Sequence, residues 1–96
     1  MYATLTLIPI KPGMREKIEK VADNQFVVLR ALNGFKSTTF LVDPDGKDCG
    51  GLTVWDSKED AEDAWATTGP QIQEAMSEIA TGPPVRRVFE VYEPKV

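Results

Sequence analysis

The first third of the chain changes its hydrophobic period once, at Pro12-Gly13. Residues 2–10 alternate, with Ala3, Leu5 and Leu7 on one side, and are rich in β-branched residues, which predicts a strand. After the Pro-Gly break, inward positions recur every three or four residues, which predicts an amphipathic helix. Asn33-Gly34 supplies its left-handed stop. The inward positions are Met14, Ile18, Val21, Ala22, Gln25, Leu29 and Leu32.

The middle of the chain reads as a β-hairpin. Residues 35–42 predict a second strand, and residues 49–55 predict its partner. Between them, Pro44 presets φ and Gly46 accepts a positive φ, as a turn requires. Asp43, Asp45 and Asp48 resemble a calcium loop only in part. They lack the later bidentate glutamate, so we interpret the segment as a turn.

The last third predicts a second helix and a final strand. Ser57 is placed as the N-cap, with Glu59 and Asp60 in the first turn. Gly69-Pro70 predicts an interruption, after which a second helical segment runs to residue 80. Following Gly82-Pro83-Pro84, residues 85–92 predict a strand with Arg87, Phe89 and Val91 on one side.

The resulting order is β-α-β-β-α-β, an α+β arrangement of the ferredoxin-like type. It predicts a four-stranded antiparallel sheet with both helices on one face and the first and third strands central. With 96 residues, the chain is predicted to form a single domain over residues 1–96.

Two helices cover only one face of such a sheet, so the other face needs a partner. We expect it to carry Tyr2, Thr4, Thr6, Ile8, Val88 and Tyr92, or the complementary set if the register is reversed. Either set is too apolar to lie open to water. The sequence therefore predicts a homodimer that packs through its sheet faces.

Composition excludes several classes of function. The apolar fraction of 42% indicates a folded protein, and the net charge of −4, with no basic cluster denser than Arg86-Arg87, argues against nucleic acid or membrane binding. Without histidine, a histidine zinc site, a histidine-ligated haem and a Ser-His-Asp triad are excluded. The single cysteine, Cys49, is interpreted as a small strand residue. No signal peptide is visible, so we expect a cytoplasmic protein.

Five segments at strand ends and turns follow one another along the chain. They are Ile10-Lys11-Pro12-Gly13, Asn33-Gly34-Phe35, Leu41-Val42-Asp43-Pro44-Asp45, Leu52-Thr53-Val54-Trp55-Asp56-Ser57-Lys58-Glu59, and Gly82-Pro83-Pro84-Val85 leading into Val88-Phe89-Glu90-Val91-Tyr92. In this order and spacing, the segments resemble the antibiotic biosynthesis monooxygenase (ABM) superfamily of dimeric α/β-barrels. The resemblance covers nearly the whole chain. It implies a ferredoxin-like protomer whose dimer closes a barrel from two sheets.

The resemblance implies varied chemistry, since members oxygenate aromatic polyketides or quinols without metal or flavin, degrade haem, or act as isomerases. Haem degraders rely on an asparagine, a tryptophan and a histidine. These positions fall near Thr6, at Trp65 or Ala64, and near Glu74 or Ala75. Two of the three residues are missing, so this chain does not resemble them. From the cofactor-free oxygenase branch, the resemblance carries over one position, Trp65. The asparagine that this branch has just before the helix is missing here, where Asp56 and Ser57 stand instead.

From this resemblance we expect an enzyme that oxidises a small aromatic or quinol-type metabolite without a cofactor. Trp65 would stack on the substrate, and Arg87 or Tyr92 would polarise an oxygen. Trp65 also fits a purely structural role in the core. The alternatives are a non-catalytic dimeric stress or binding module with a filled pocket, and an isomerase, which ranks last because the chain lacks a basic phosphate cluster.

Overall fold

The strands and helices follow the predicted order. The structure, a computed structural model, describes residues 1–95. The four strands are antiparallel in the order β2-β3-β1-β4, so β1 and β3 are central and the ferredoxin-like fold is confirmed. The elements are β1 (Tyr2–Pro9), α1 (Arg15–Leu29), β2 (Phe35–Val42), β3 (Asp48–Trp55), α2 (Lys58–Ala75) and β4 (Val85–Glu90).

The two faces of the sheet are the reverse of the first expectation. Thr4, Thr6 and Ile8 of β1 line the space beneath the helices. Because side chains alternate along a strand, Leu5 and Leu7 project from the opposite face. The complementary set therefore forms the uncovered side. Both parities of β1 contain aliphatic residues, so alternation alone did not distinguish the faces.

We call the uncovered side the open sheet face. Leu5 occupies its centre and pairs with Leu52 of β3 and Arg87 of β4. The Arg87 guanidinium lies over the Phe89 ring, with Cζ 4.9 Å from the ring centroid. The exposed apolar residues of this face are Leu41, Leu52, Val85 and Phe89.

Helix α1 ends earlier than its apolar pattern predicts. Its last residue is Leu29, and turns lead from there to Gly34, whose φ is +77°. A β-carbon at Gly34 would also collide with the Asp60 side chain at the start of α2. Glycine is therefore required at this position for its backbone conformation and for the close approach of α2.

Helix α2 is continuous through Pro70, so the predicted interruption is wrong. Ser57 is the N-cap, as predicted, and its Oγ accepts a hydrogen bond from the Asp60 amide at 3.1 Å. Pro70 lies on the exposed side of the helix, where water can satisfy the carbonyl that its missing N–H leaves free. Thr68 and Ile72, on either side of it in sequence, line the space above the sheet. Packing of the inner face outweighs the local cost of proline.

The hairpin turn between β2 and β3 is confirmed. Gly46 has a φ of +74°, and the Asp43 carboxylate accepts a hydrogen bond from the Asp45 amide at 3.0 Å. The turn aspartates thus serve the backbone, as Asx residues commonly do. Within residues 1–95, no group of three or more histidine, cysteine or acidic side chains is placed to hold a metal ion. No helix of this part of the chain is long and apolar enough to cross a membrane.

The hydrophobic core is divided into two clusters. One contains Leu29, Trp55, Ala61 and Ala64. The other, nearer the start of α1, contains Ile8, Ile10, Ile18, Cys49, Met76 and Ile79. Trp55 is only 2% exposed, which places it in the core. A cavity separates the two clusters.

Candidate functional site

The cavity lies between the two helices and the covered face of the sheet, with a volume of about 250 Å³. Members of both core clusters form its ends, including Ile18 and Met76 from one and Leu29 and Ala64 from the other. Native cores rarely leave voids larger than a water molecule. A space of this size between two well-packed clusters therefore has the character of a binding site rather than of a packing defect.

Gly51 leaves part of this space open. It pairs with Thr6 of β1 and Phe40 of β2, both of which line the cavity. A β-carbon at Gly51 would approach the Thr39 carbonyl oxygen only to 3.6 Å, an ordinary contact. A side chain would fit there, so the distance between the neighbouring strands does not require a glycine. The lack of a side chain at this position enlarges the cavity.

Trp65 and Arg86 form a stacked pair in the cavity wall. The Arg86 guanidinium lies over the indole, with Cζ 5.1 Å from the ring centroid. Its Nη2 donates to the Ala61 carbonyl oxygen at 3.4 Å and to Glu62 Oε1 at 3.3 Å. The Arg86 side chain is only 15% exposed, so solvent screens its charge less than at the surface. The pair offers a ligand an aromatic surface beside a fixed positive charge, with part of the indole covered by the guanidinium.

Gly69 supports the position of Trp65. A β-carbon at Gly69 would lie 3.2 Å from Cε2 of the indole, which is tighter than an ordinary contact. Gly69 is itself buried. The indole therefore rests against the backbone of its own helix one turn later.

The buried polar side chains also gather at the cavity. Among residues 1–95 there are four, each from a different element, and all line it: Thr4 of β1, Gln25 of α1, Thr53 of β3 and Thr68 of α2. Thr4 Oγ1 accepts from Trp55 Nε1 at 3.4 Å, and Thr53 Oγ1 is 2.8 Å from Thr38 Oγ1. Thr68 Oγ1 donates to the Ala64 carbonyl at 2.9 Å.

Charged groups stand where the cavity meets solvent. Arg15 and Glu19 line it and form an ion pair of 2.8 Å, with side chains 67% and 58% exposed.

Cys49, by contrast, lines the cavity from within the core. Burial, and then the neighbouring Asp48 carboxylate, raise the pKa of its thiol. The thiol is therefore protonated at neutral pH and is a poor nucleophile.

The structure brings one of the three predicted site residues to the cavity. Trp65 lines it, whereas Arg87 and Tyr92 are not among the lining residues. Arg87 lies on the open sheet face, and Tyr92 follows β4 with 75% of its surface exposed. The expectation that Arg87 points into the pocket is wrong because the sheet faces are reversed. Arg86, one residue earlier, occupies that place.

Gln25 was placed on the inner face of α1 by its spacing, but no function was assigned to it. A glutamine at an otherwise apolar helix position was the available signal, since uncharged polar residues are costly to bury without a partner. No comparable signal marked Arg86, because adjacent arginines occupy both parities of β4.

Solved structures with the same architecture come from several bacteria. A Streptomyces coelicolor monooxygenase from the gene ActVA-Orf6, in complex with the ligand Nanaomycin D, superposes with a TM-score of 0.79 at 18% identity, over 99% of this chain and 90% of that one. SnoaB, a cofactor-independent oxygenase from Streptomyces nogalater, gives 0.78 at 17% identity, over 98% and 95%. Rv0793 from Mycobacterium tuberculosis gives 0.76 at 17% identity, over 99% and 98%.

The chain has the fold of the antibiotic biosynthesis monooxygenases. The resemblance read from the turns and strand ends is thereby confirmed for the ABM fold. No protein-family model matches the sequence, and no curated protein matches it. A shared fold does not by itself determine an activity, which depends on the residues of the site.

Proposed function

We propose that this chain is a cofactor-independent monooxygenase that acts on a small aromatic or quinol-type metabolite. The observation that carries the proposal is the Trp65–Arg86 pair in the wall of a largely apolar cavity of about 250 Å³. An aromatic ring would pack against the uncovered part of the indole, while an oxygen anion on that ring would lie near the guanidinium. The Streptomyces coelicolor monooxygenase and the cofactor-independent oxygenase SnoaB, both of similar fold, support this assignment.

The volume of the cavity limits the substrate. An engineered cavity of about 150 Å³ holds benzene. The space of about 250 Å³ therefore suits an aromatic compound of two fused rings, or a larger one that extends towards the Arg15–Glu19 entrance. The apolar lining and the scarcity of charge select a flat, weakly polar molecule.

The proposed chemistry asks little of the protein beyond binding. An anthrone or quinol loses a proton and becomes a carbanion or phenolate, which transfers electrons to O₂. For an anthrone, one oxygen atom becomes the new carbonyl and the other leaves as water. For a quinol, one oxygen atom becomes a ring hydroxyl of the quinone product and the other leaves as water. In both cases the substrate is itself the reductant. The roles left to the protein are to orient the ring, exclude water and stabilise the anion. In this proposal, Trp65 orients the ring and Arg86 stabilises the anion.

Within residues 1–95, both hydrogen bonds of the Arg86 side chain use Nη2. The N–H groups on Nη1 and Nε are therefore available to donate to a ligand oxygen. A guanidinium paired with the half-exposed Glu62 retains much of its field inside the cavity, because Glu62 is screened by solvent on its outer side. Arg86 thus favours the deprotonated form of a bound phenol.

We also propose that two copies of the chain pack through their open sheet faces. Leu41, Leu52, Val85 and Phe89 are each at least 39% exposed on this face. A contiguous apolar surface of this kind on a sheet is typical of an interface. When this face packs against the same face of a second copy, these side chains leave water and no other protein is needed.

The activity is tested by turnover of a panel of quinols and anthrones under air, with and without a chelator. We expect rates above those in buffer, no effect of the chelator, and at least a tenfold loss in Trp65→Ala. Phe26→Ala is the matched control, since Phe26 is an exposed aromatic residue that does not line the cavity. Equal rates in protein and in buffer across the panel would overturn the proposal. Binding without turnover would favour the non-catalytic binding module instead.

A further inference from the structure

Among residues 1–95, Gln25 carries the one buried side-chain nitrogen or oxygen that lacks a hydrogen-bond partner. Its Oε1 is buried and has no hydrogen-bond partner within the described residues, 1–95. The side chain as a whole is 8% exposed, and the residue lines the cavity. Buried polar atoms in native proteins nearly always have a partner, so an exception of this kind needs an explanation.

Gln25 differs in this respect from the other buried polar side chains that line the cavity. Thr4, Thr53 and Thr68 stand around the same cavity, and each makes a hydrogen bond within the protein. The protein thus satisfies these three hydroxyl groups and, within residues 1–95, leaves the Gln25 oxygen without a donor. Gln25 lies on α1 between Ile18 and Leu29, which belong to the two separate core clusters.

We infer that Gln25 is a specificity-determining residue whose Oε1 accepts a hydrogen bond from a hydroxyl group of the bound aromatic ligand. The inference rests on the proposed function of the cavity and narrows its substrate class to hydroxylated aromatics. An unpartnered acceptor rejects a ligand that lacks the donor, because the oxygen then stays buried and unpaired.

Gln25 and Arg86 approach the ligand from different sides. Helix α1 packs against β2, at one edge of the sheet, whereas Arg86 belongs to β4 at the other edge. The matching ligand therefore carries an O–H donor on one side and an oxygen acceptor on the other. A dihydroxylated or keto-hydroxy fused-ring compound meets both requirements.

The test is a binding titration of 1-naphthol and 1-methoxynaphthalene, followed by tryptophan fluorescence without oxygen so that no turnover occurs. The two probes have nearly the same shape, and only the first can donate a hydrogen bond. We expect the wild-type chain to bind 1-naphthol at least tenfold more tightly. In Gln25→Met, which keeps an unbranched side chain of similar length, this preference falls to about twofold or less.

A second readout separates ligand recognition from a structural role. Gln25→Met removes an unsatisfied buried acceptor, so the melting temperature of the ligand-free chain is expected to rise. A residue that holds the fold together would lower it. Gln71→Met is the matched control, because Gln71 is exposed on α2, lines no part of the cavity and should change neither quantity.

Equal affinity of the wild-type chain for the two probes, or no measurable binding of either, would overturn the inference. An equal loss for both probes in Gln25→Met would do the same. Turnover of quinols by Gln25→Met at the wild-type rate with unchanged probe preference would overturn this inference and leave the proposed oxygenation standing. Hydroxyl-selective binding without any turnover would support the inference and count against the oxygenation.

Discussion

The guanidinium of Arg86 lies over the Trp65 indole, with Cζ 5.1 Å from the ring centroid, inside the wall of the cavity. The next residue, Arg87, makes a similar contact with Phe89 at 4.9 Å, but on the open sheet face. One step along β4 therefore separates an arginine in the cavity wall from an arginine on the open sheet face. This separation makes the two arginines a natural pair for comparison.

Replacing each arginine with glutamine should lower kcat/KM to very different extents. Arg86→Gln is expected to lower kcat/KM for a quinol by about 10- to 100-fold, the value of a hydrogen bond to a charged group of about 1.5–3 kcal/mol. Arg87→Gln should leave kcat/KM within about twofold, since it does not line the cavity. Steady-state kinetics on both variants measures this. Equal losses of kcat/KM in the two variants would contradict the assignment of a ligand-binding role to Arg86 alone.

The neighbouring glycines of β3 should respond in opposite ways to an added side chain. Gly51→Leu is expected to fold and to lose ligand binding by at least about tenfold, because its β-carbon makes only ordinary contacts and the rest of the side chain takes up cavity volume. Gly50→Ala should destabilise the fold by about 3 kcal/mol or more, because its β-carbon would overlap the Thr6 carbonyl oxygen. Urea unfolding and the 1-naphthol titration measure the two effects. A Gly51→Leu chain that binds as well as the wild type would place the ligand elsewhere.

Charge on the open sheet face should break the proposed dimer. Leu52→Glu places a carboxylate at a position 39% exposed in the protomer, where self-association would bury the charge among apolar side chains. We expect sedimentation to give the mass of a dimer for the wild-type chain at micromolar concentration and of a monomer for the variant. Val27→Glu is the control, since Val27 is 55% exposed on α1, away from this face. A wild-type mass near one chain would contradict the dimer.

The Cys49 thiol should make stability fall at alkaline pH. Its folded pKa lies above the ordinary value of 9.0, so the folded state keeps the proton that the unfolded chain releases. The contribution is fully present below the unfolded pKa and is lost as the pH rises through it towards the folded pKa. Urea unfolding at pH 7 and pH 10 should therefore show a smaller alkaline loss in Cys49→Ala. An identical loss in both chains would exclude the thiol as a cause.

Several features of this protein follow from the sequence because their causes are local. The Ser57 cap depends on an amide three residues away, and the hairpin turn depends on Asp43 and Gly46 within its own loop. The β-α-β-β-α-β order follows from the periodicity of each segment, and the right-handed crossover restricts how such segments assemble. The ABM fold could be recognised on these grounds alone.

Only the tertiary structure decided which side of each strand meets the helices. Alternation gives two sets of residues but not their direction, and β1 and β4 carry aliphatic or arginine residues on both parities. The continuity of α2 through Pro70 also depends on inner-face packing that no local pattern reports. The cavity, with Gln25, Trp65 and Arg86 in its walls, arises from distant elements. Local preferences therefore determined the order of the elements, while long-range packing decided which residues they bring together.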